Sequence, residues 1–370
     1  MSTPLEPTGG LDPIGTETVE NAIELKDVEG LSQGQIVRRR FFRHRGALGG
    51  LFVLALIALL AYSSIGAFGI PGWWKFNHFT PGTVENSGNP SLSIPPFFGA
   101  SSFSLGDHPF GQDEVGRDIF ARVMKGTQTS INVMVVISVL AALIGMAVGA
   151  VAGYFRGWID NLLMRITDLF LTFPILVIGA VLGKVAGGGG ALVLGVALGA
   201  IFWTTLARLV RGEFLTLRER EFVDAAKVAG ASSFRIMRKH MIPNAMGVII
   251  VNTTLLASQA VLLETALSYL GFGIKSPDVS LGTMISEYQS AFATRPWLFW
   301  WPGLLIILIA LSVNFIGDGL RDAFDPRQKR VPSARAMDKA MATQELGVPA
   351  GGVHRGDPGD SAGNSRDDRP

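Results

Sequence analysis

The residues best suited to bind another molecule lie together in one polar stretch, 213–244, between two long apolar segments. Basic side chains are concentrated in and around it: Arg208, Arg211, Arg218, Arg220, Lys227, Arg235, Arg238 and Lys239. A loop this basic between membrane spans belongs on the cytoplasmic side. It is too long for a simple turn, and its composition is not that of a flexible linker. The sequence therefore predicts a folded element at the cytoplasmic surface of a membrane.

This stretch is predicted to fold as two short helices joined by a turn. Residues 219–229 are rich in helix formers, and Gly230 suits the position just past a helix end. Ser232 and Ser233 can cap a second helix that runs to His240. Small residues cluster at the turn: Ala225, Ala226, Ala229, Gly230 and Ala231. Two functions fit equally, namely docking of a cytoplasmic partner that approaches the small residues closely, and an amphipathic helix on lipid headgroups.

Other kinds of chemistry have little support. The chain has no cysteine, which excludes disulfides and thiolate sites, and its five histidines lack the spacing of metal ligands. The stretch 179–185 has the wrong spacing for a nucleotide-binding loop, and no Ser or Thr follows Lys184. The sequence therefore predicts no catalytic residue, no metal site and no cofactor on this chain.

Composition points to a membrane protein. Hydrophobic residues make up 48% of the chain and charged residues 17%, with 45 glycines. That balance is typical of a polytopic helical membrane protein. The net charge of +2 does not indicate nucleic-acid binding, because the basic residues lie beside membrane spans, where topology explains them.

Hydropathy predicts an all-α polytopic membrane protein with six transmembrane helices and both termini in the cytoplasm. The predicted spans are 47–70, 130–153, 161–185, 191–211, 246–270 and 297–316, with Pro243 marking the entry to the fifth. Gly145, Gly149 and Gly153 recur every four residues in the second span. This spacing indicates a face on which a neighbouring helix packs closely.

The remaining segments complete the predicted domain organisation. Residues 1–35 and 319–370 are expected to be disordered cytoplasmic tails, and 36–75 to hold the first span behind a basic cluster that sets topology. Residues 76–125 form an extracytoplasmic segment and an interfacial helix from Asp118 to Lys125, on which Arg117, Asp118 and Arg122 are placed to pair. Residues 126–318 form the transmembrane core, including the 213–244 loop.

Ionisable residues within the spans are few. Asp168 and Lys184 are placed toward span ends, and Glu264 toward the outer end of the fifth span. Their scarcity disfavours an ion-coupled pump, which needs polar groups near the midplane. For Glu264, a structural bond to a neighbouring helix or to the outer loop is favoured over contact with a substrate.

Several motifs resemble those of a known family. The stretch 222–232 (FVDAAKVAGAS), with Arg235 and the sequence HMIPN at 240–244, resembles the EAA loop of ABC-importer membrane subunits. The stretches HPFG at 108–111, DEVGRD at 113–118 and ETALSYLGFG at 264–273 are similar to the DppC/OppC branch of dipeptide and oligopeptide permeases. The resemblance covers roughly residues 36–326. Asp224 stands where the family usually has Glu, and both tails are longer than usual.

The resemblance implies a type I ABC importer permease of the bacterial inner membrane that carries di- or oligopeptides. It assigns ATPase coupling to these residues: Glu221, Asp224, Ala225, Ala226, Lys227, Gly230, Ala231 and Arg235. The implied partners are a homologous DppB/OppB-like permease, two ATP-binding subunits that hold ATP and Mg, an extracytoplasmic substrate-binding protein and membrane lipid. Alternatives are the same architecture with another cargo, such as a nickel chelate, a glycan or haem, and an ion-coupled secondary transporter.

Overall fold

The first crossing is shorter than predicted. The computed structural model describes residues 33–67, 69–92, 104–186 and 189–324. Helix α1 spans Gln33–Phe41, and α2 spans Arg45–Ser64. His44 caps α2 by accepting the amide of Ala47 at 2.9 Å. The chain then turns through a small hairpin, β1 (Gly66–Ala67) and β2 (Ile70–Pro71), so the span predicted to run to residue 70 ends at Ser64.

The second crossing is one long helix, α3 (Ile119–Phe155). The separate interfacial helix predicted from Asp118 to Lys125 is wrong, because nothing between these residues and the span breaks the helix. Asp118 is instead the N-cap, and its carboxylate accepts the amide of Ala121 at 2.8 Å. The predicted packing face is confirmed: Gly145, Gly149 and Gly153 are buried in α3.

The third and fourth crossings are each broken into two helices. Helices α4 (Gly157–Thr172) and α5 (Ile175–Ala186) meet at 85°, and α6 (Gly190–Gly199) and α7 (Thr204–Arg218) meet at 40°. The sharper bend follows from Pro174, which has no N–H to donate and forces Phe173 into an extended conformation. Helix α7 also continues past the predicted end at Arg211.

The last crossings extend beyond their predicted bounds. Helix α10 spans Ile242–Tyr269 and α12 spans Trp297–Phe324, which passes the predicted end at residue 316. Between them lie α11 (Leu281–Tyr288) and a 3-10 turn at Gln289–Ala291; another 3-10 turn lies at Asn86–Gly88. In the described part of the chain, four helices are long and apolar enough to cross a membrane, or up to six if each bent pair is one span. The predicted six crossings agree with the structure when each bent pair is counted as one span. Most of both predicted tails lies outside the described residues.

The end of the bundle that carries residues 71–92 and 271–296 is called the outer end here, following the sequence prediction, and the opposite end the cytoplasmic end. At the outer end, the predicted pairing among Arg117, Asp118 and Arg122 is wrong. Both arginines bind Glu287 of α11, Arg117 at 2.7 Å. Asp118 binds His108 at 2.8 Å and accepts the indole N–H of Trp74 at 2.9 Å.

Tyr288 adds a further link at this end of the bundle. Its hydroxyl donates to Asp113, which also holds Arg117 at 2.6 Å. Burial raises the pKa of Tyr288 well above its usual value, which keeps this hydroxyl protonated as a donor. The cluster of Asp113, Arg117, Arg122, Glu287 and Tyr288 therefore ties α11 to the start of α3.

Glu264 has the structural role that the sequence favoured. Its carboxylate is fully buried and accepts the hydroxyls of Ser130 on α3 at 2.9 Å and Ser268 at 2.7 Å. Each serine oxygen in turn accepts a backbone N–H from the outer loop, Leu281 at 3.3 Å and Ile274 at 3.2 Å. One carboxylate thus joins two helices and both buried ends of a non-helical loop whose middle is exposed.

Candidate coupling site

The predicted helix–turn–helix is present, with a well-formed helix end. Helix α8 spans Glu221–Val228. Gly230 adopts a φ of 75°, a conformation that favours glycine. The amide of Gly230 bonds the carbonyl of Lys227 at 2.9 Å, and the amide of Ala231 bonds that of Ala226 at 3.0 Å. This pair of bonds is the Schellman motif, so the predicted role of Gly230 as the helix stop is confirmed.

The second helix differs from its prediction in how it ends. Ser232 caps α9 (Ser233–Ile236), accepting the amide of Arg235 at 3.4 Å. A π-helical turn, Met237–Met241, then leads directly into α10. Pro243 lies in the first turn of α10 and so marks the entry to the fifth span, as predicted, and no break precedes it because a proline in the first turn of a helix needs no N–H partner. The loop is therefore built rigidly onto the fifth span.

Apolar side chains hold this element against the bundle. Val223 of α8 is fully buried, and so is Met241 of the π-helical turn. Ile236 and Met237 join them in one core cluster with Phe214 of α7. Residues of α7, α8, α9 and the π-helical turn thus share one core.

The coupling residues named from the sequence fall into two groups. Ala226 and Ala231 are partly buried and pack on the core cluster of their own chain. The others are exposed: Glu221, Asp224, Ala225, Lys227, Gly230 and Arg235. Asp224 and Lys227 bind each other at 2.9 Å. The small residues are therefore divided: Ala226 and Ala231 face the core of the chain, and Ala225 and Gly230 are exposed to solvent.

Two apolar residues on this surface were missed by the sequence reasoning. Val228 is 89% exposed and Phe234 is 67% exposed, one on each side of the Gly230 turn. A signal was present in the sequence, because an apolar residue at the end of a polar helix needs a partner from elsewhere. Together with Ala225 and Gly230 they form the tip surface: Ala225, Val228, Gly230 and Phe234.

Three ion pairs join α7 to the residues around α4 above this site. Arg156 binds Glu219 at 2.5 Å, close to the cytoplasmic end. Arg211 binds Asp160 through both carboxylate oxygens, at 2.5 and 2.7 Å. Arg208 binds Asp168 at 2.5 Å. The α7 helix that continues toward α8 is thus fixed to α4 as well as to the α3 glycine face.

Known proteins match the chain over most of its length. Residues 145–330 match the family described as binding-protein-dependent transport system inner membrane component, and residues 32–76 match the N-terminal TM domain of oligopeptide transport permease C. The oligopeptide transport system permease protein OppC of Mycobacterium tuberculosis H37Rv is 36% identical over 80% of this chain and 96% of its own length. OppC of Escherichia coli K12 is 34% identical over 85% of this chain and 98% of its own.

Two further matches are a second type of relative and a solved structure. The dipeptide transport system permease protein DppC of Bacillus subtilis 168 is 36% identical over 81% of this chain and 88% of its own length. A solved structure of the MetNI methionine ABC transporter, in inward-facing conformations, aligns with a TM-score of 0.45 and 20% identity over 55% of this chain and 96% of that chain. The chain therefore belongs to the binding-protein-dependent inner-membrane transport components, in the group of oligopeptide and dipeptide transport permeases.

Proposed function

We propose that this chain forms half of the membrane pathway of an ATP-driven importer of di- or oligopeptides, and that α8 transmits the motion of an ATPase to the spans. The exposed tip surface on a rigidly held helix supports this proposal most directly. Val228 and Phe234 are 89% and 67% exposed, whereas Val223 beneath them is fully buried. A helix that is packed on one side and exposes Ala225 and Val228 among charged residues on the other suits a protein groove with a charged rim.

The proposal includes the partners that such a subunit requires. A homologous permease supplies the other half of the pathway, and two ATP-binding subunits supply ATP hydrolysis, since no nucleotide-binding loop is recognisable in this sequence. An extracytoplasmic binding protein delivers the peptide. The chain would reside in the bacterial inner membrane with both termini in the cytoplasm, as the basic residues around 213–244 favour.

Closure of the ATPases would act on the bundle through the shared core. A displacement of α8 passes to α10 through the π-helical turn, because Ser233–Tyr269 is one continuous helical segment. It also passes to α7 through the contacts of the core cluster that contains Val223 and Phe214. Rigid elements of this kind convert a local push into a movement of whole spans.

Co-purification tests the proposal. The tagged chain is isolated in mild detergent, partners are identified by mass spectrometry, and ATP hydrolysis is measured with and without peptide-loaded binding protein. We expect an ATPase and a second permease to come with the chain, and hydrolysis to rise on addition of loaded binding protein. A chain that comes alone and hydrolyses nothing would favour the lipid-surface function of α8. Stimulation by a binding protein loaded with a nickel chelate, a glycan or haem, and not with peptide, would reassign the cargo.

A further inference from the structure

A polar stripe runs along α4, the inner half of the broken third span. Asn161, Arg165, Asp168 and Thr172 recur at spacings of four, three and four residues, which places them on one face of the helix. All are exposed except Asp168, which is partly exposed. The neighbouring face is also exposed but apolar, with Leu162, Ile166 and Leu169. Helix α4 thus presents two different surfaces away from the bundle.

The polar stripe continues onto α7. Arg208 binds Asp168 at 2.5 Å, yet 50% of the Arg208 side chain and 47% of the Asp168 side chain are accessible. Arg165 lies one turn below Asp168 on the stripe and makes no ion pair or hydrogen bond with any described residue. The stripe therefore offers one paired and one unpaired guanidinium on the same exposed surface.

Packing fixes the depth of these charges. Gly149 of α3 contacts Ala207 and Val210 of α7, and Gly145 contacts Leu206. Arg208 of α7 therefore lies at about the same height along the α3 axis as these two glycines. These glycines lie about two and about three helical turns before the end of α3 at Phe155, or roughly 10–15 Å along its axis. Asp168 lies one turn before the end of α4 at Thr172, near the break between the two halves of the span, not toward the end of the span as the sequence suggested. The Arg208–Asp168 pair therefore lies roughly 10–15 Å from the cytoplasmic end of α3.

Charges at this depth do not face lipid. Ionisable side chains within spans face the bundle interior or a water-filled cavity, because their exposure to hydrocarbon is costly. The bundle of this chain does not cover the stripe. Water in a pathway shared with a second permease accounts for its exposure, and the apolar face of Leu162, Ile166 and Leu169 is then the one that meets lipid or protein.

We infer that this stripe lines the aqueous pathway and that Arg165 binds the terminal carboxylate of a passing peptide. The inference rests on the proposed function and names a substrate contact within it. A guanidinium matches a carboxylate through two parallel N–H donors. Asp168 is already paired with Arg208, so Arg165 is the group left to attract an anion. Asn161 lies one turn from Arg165 and Thr172 two turns from it on the same face, and their neutral hydrogen-bonding groups suit the peptide backbone.

Uptake of matched peptides tests the contact. The full complex is reconstituted in liposomes, and uptake of an alanine tripeptide is compared with that of its C-terminal amide at equal occupancy of the binding protein. In Arg165→Gln we expect uptake of the free acid to fall about tenfold or more, as for loss of a charge-assisted hydrogen bond, and uptake of the amide to change less than about twofold. Arg165→Lys should retain part of the preference for the free acid.

The controls separate this contact from structural damage. Arg43→Gln removes an exposed arginine of the cytoplasmic cluster, and both peptides should enter as with the wild type. An equal fall for both peptides in Arg165→Gln, or no fall for either, would overturn the assignment to Arg165 while leaving the importer in place. Failure of the wild-type complex to import either peptide would overturn the proposed function itself.

Thiol labelling tests the pathway without reference to cargo. The chain has no cysteine, so a single introduced one reports its own surroundings. In inside-out vesicles that hold the full complex, a membrane-impermeant cationic thiol reagent should modify Asn161→Cys and Thr172→Cys and leave Leu162→Cys unmodified. Protection of both stripe positions would show that a partner subunit covers the stripe, and would refute the aqueous pathway along it.

Discussion

At the scale of single residues, a buried polar side chain can connect several elements of this bundle. Glu264 is the clearest case, because its two oxygens accept two serine hydroxyls that in turn hold the amides of Ile274 and Leu281. The buried ends of an irregular backbone segment beside membrane spans need partners for their N–H groups. The buried carboxylate supplies them indirectly by orienting both hydroxyls toward itself.

Replacement of this carboxylate should loosen the outer loop. In Glu264→Gln, the amide nitrogen cannot accept, so one serine hydroxyl loses its partner, and we expect a loss of about 1–3 kcal/mol in unfolding free energy. Denaturant titration in detergent measures it. Ser268→Ala should lower the unfolding free energy less in the Glu264→Gln background than in the wild type, since both changes break the same chain of hydrogen bonds. The exposed Gln259→Ala on the same helix should change stability by less than about 0.5 kcal/mol. Full additivity of the two substitutions would contradict the shared chain.

The role of Glu264 could be anticipated from the sequence, but its partners could not. A lone acidic residue in an apolar span needs a hydrogen-bonding partner, which is a local argument. Which serine provides it depends on the path of residues 271–281, which is a tertiary matter. In the same way, Gly230 could be recognised as a helix stop from its type. The apolar types of Val228 and Phe234 were a signal in the sequence, but their outward orientation is set by how α8 and α9 pack on the core.

At the scale of elements, helices pack together where small residues let their backbones come close. Helices α3 and α7 meet along Gly145, Gly149 and Gly153, where the backbones are too close for side chains. A Cβ at Gly149 would stand 2.5 Å from the carbonyl oxygen of Ala207 and 2.8 Å from Cβ of Val210. This contact could be predicted because the glycines recur every four residues. The bend between α4 and α5 has a cause in the sequence, since Pro174 cannot donate a backbone N–H. The bend between α6 and α7 contains no proline, so hydropathy gave one continuous span.

The α3–α7 contact should be sensitive to a single methyl group. Gly149→Ala should lower the midpoint of thermal unfolding and reduce the amount of folded protein in the membrane, because backbone atoms of α7 must move apart. Gly49→Ala in α2 is the matched control, since a Cβ there meets nothing within 4 Å. It should leave stability unchanged or raise it by up to about 1 kcal/mol. Equal behaviour of the two variants would show that the glycine face does not hold α3 to α7.

At the scale of the whole molecule, the two ends of the bundle are built differently. At the outer end, Glu287 and Tyr288 hold α11 to the start of α3, and Glu264 fixes the loop before it. At the cytoplasmic end, α8 stands on a core shared with α7 and the fifth span, and its tip surface is exposed. The sequence predicted the short helices around Gly230 and, where each bent pair counts as one span, the number of crossings. The breaks in two spans and the path of the outer loop came from the structure.

Coupling through the tip surface of α8 is the central claim, and one comparison tests it most directly. Peptide uptake and ATP hydrolysis are measured in liposomes that hold the full complex with wild-type chain, Val228→Glu or Gly34→Glu. A carboxylate at Val228 would be desolvated in an ATPase groove, so we expect uptake to fall at least about tenfold at an unchanged amount of chain in the membrane. Gly34→Glu adds the same charge at an exposed position away from α8 and should behave as wild type. Wild-type uptake and hydrolysis in Val228→Glu would contradict coupling through this surface.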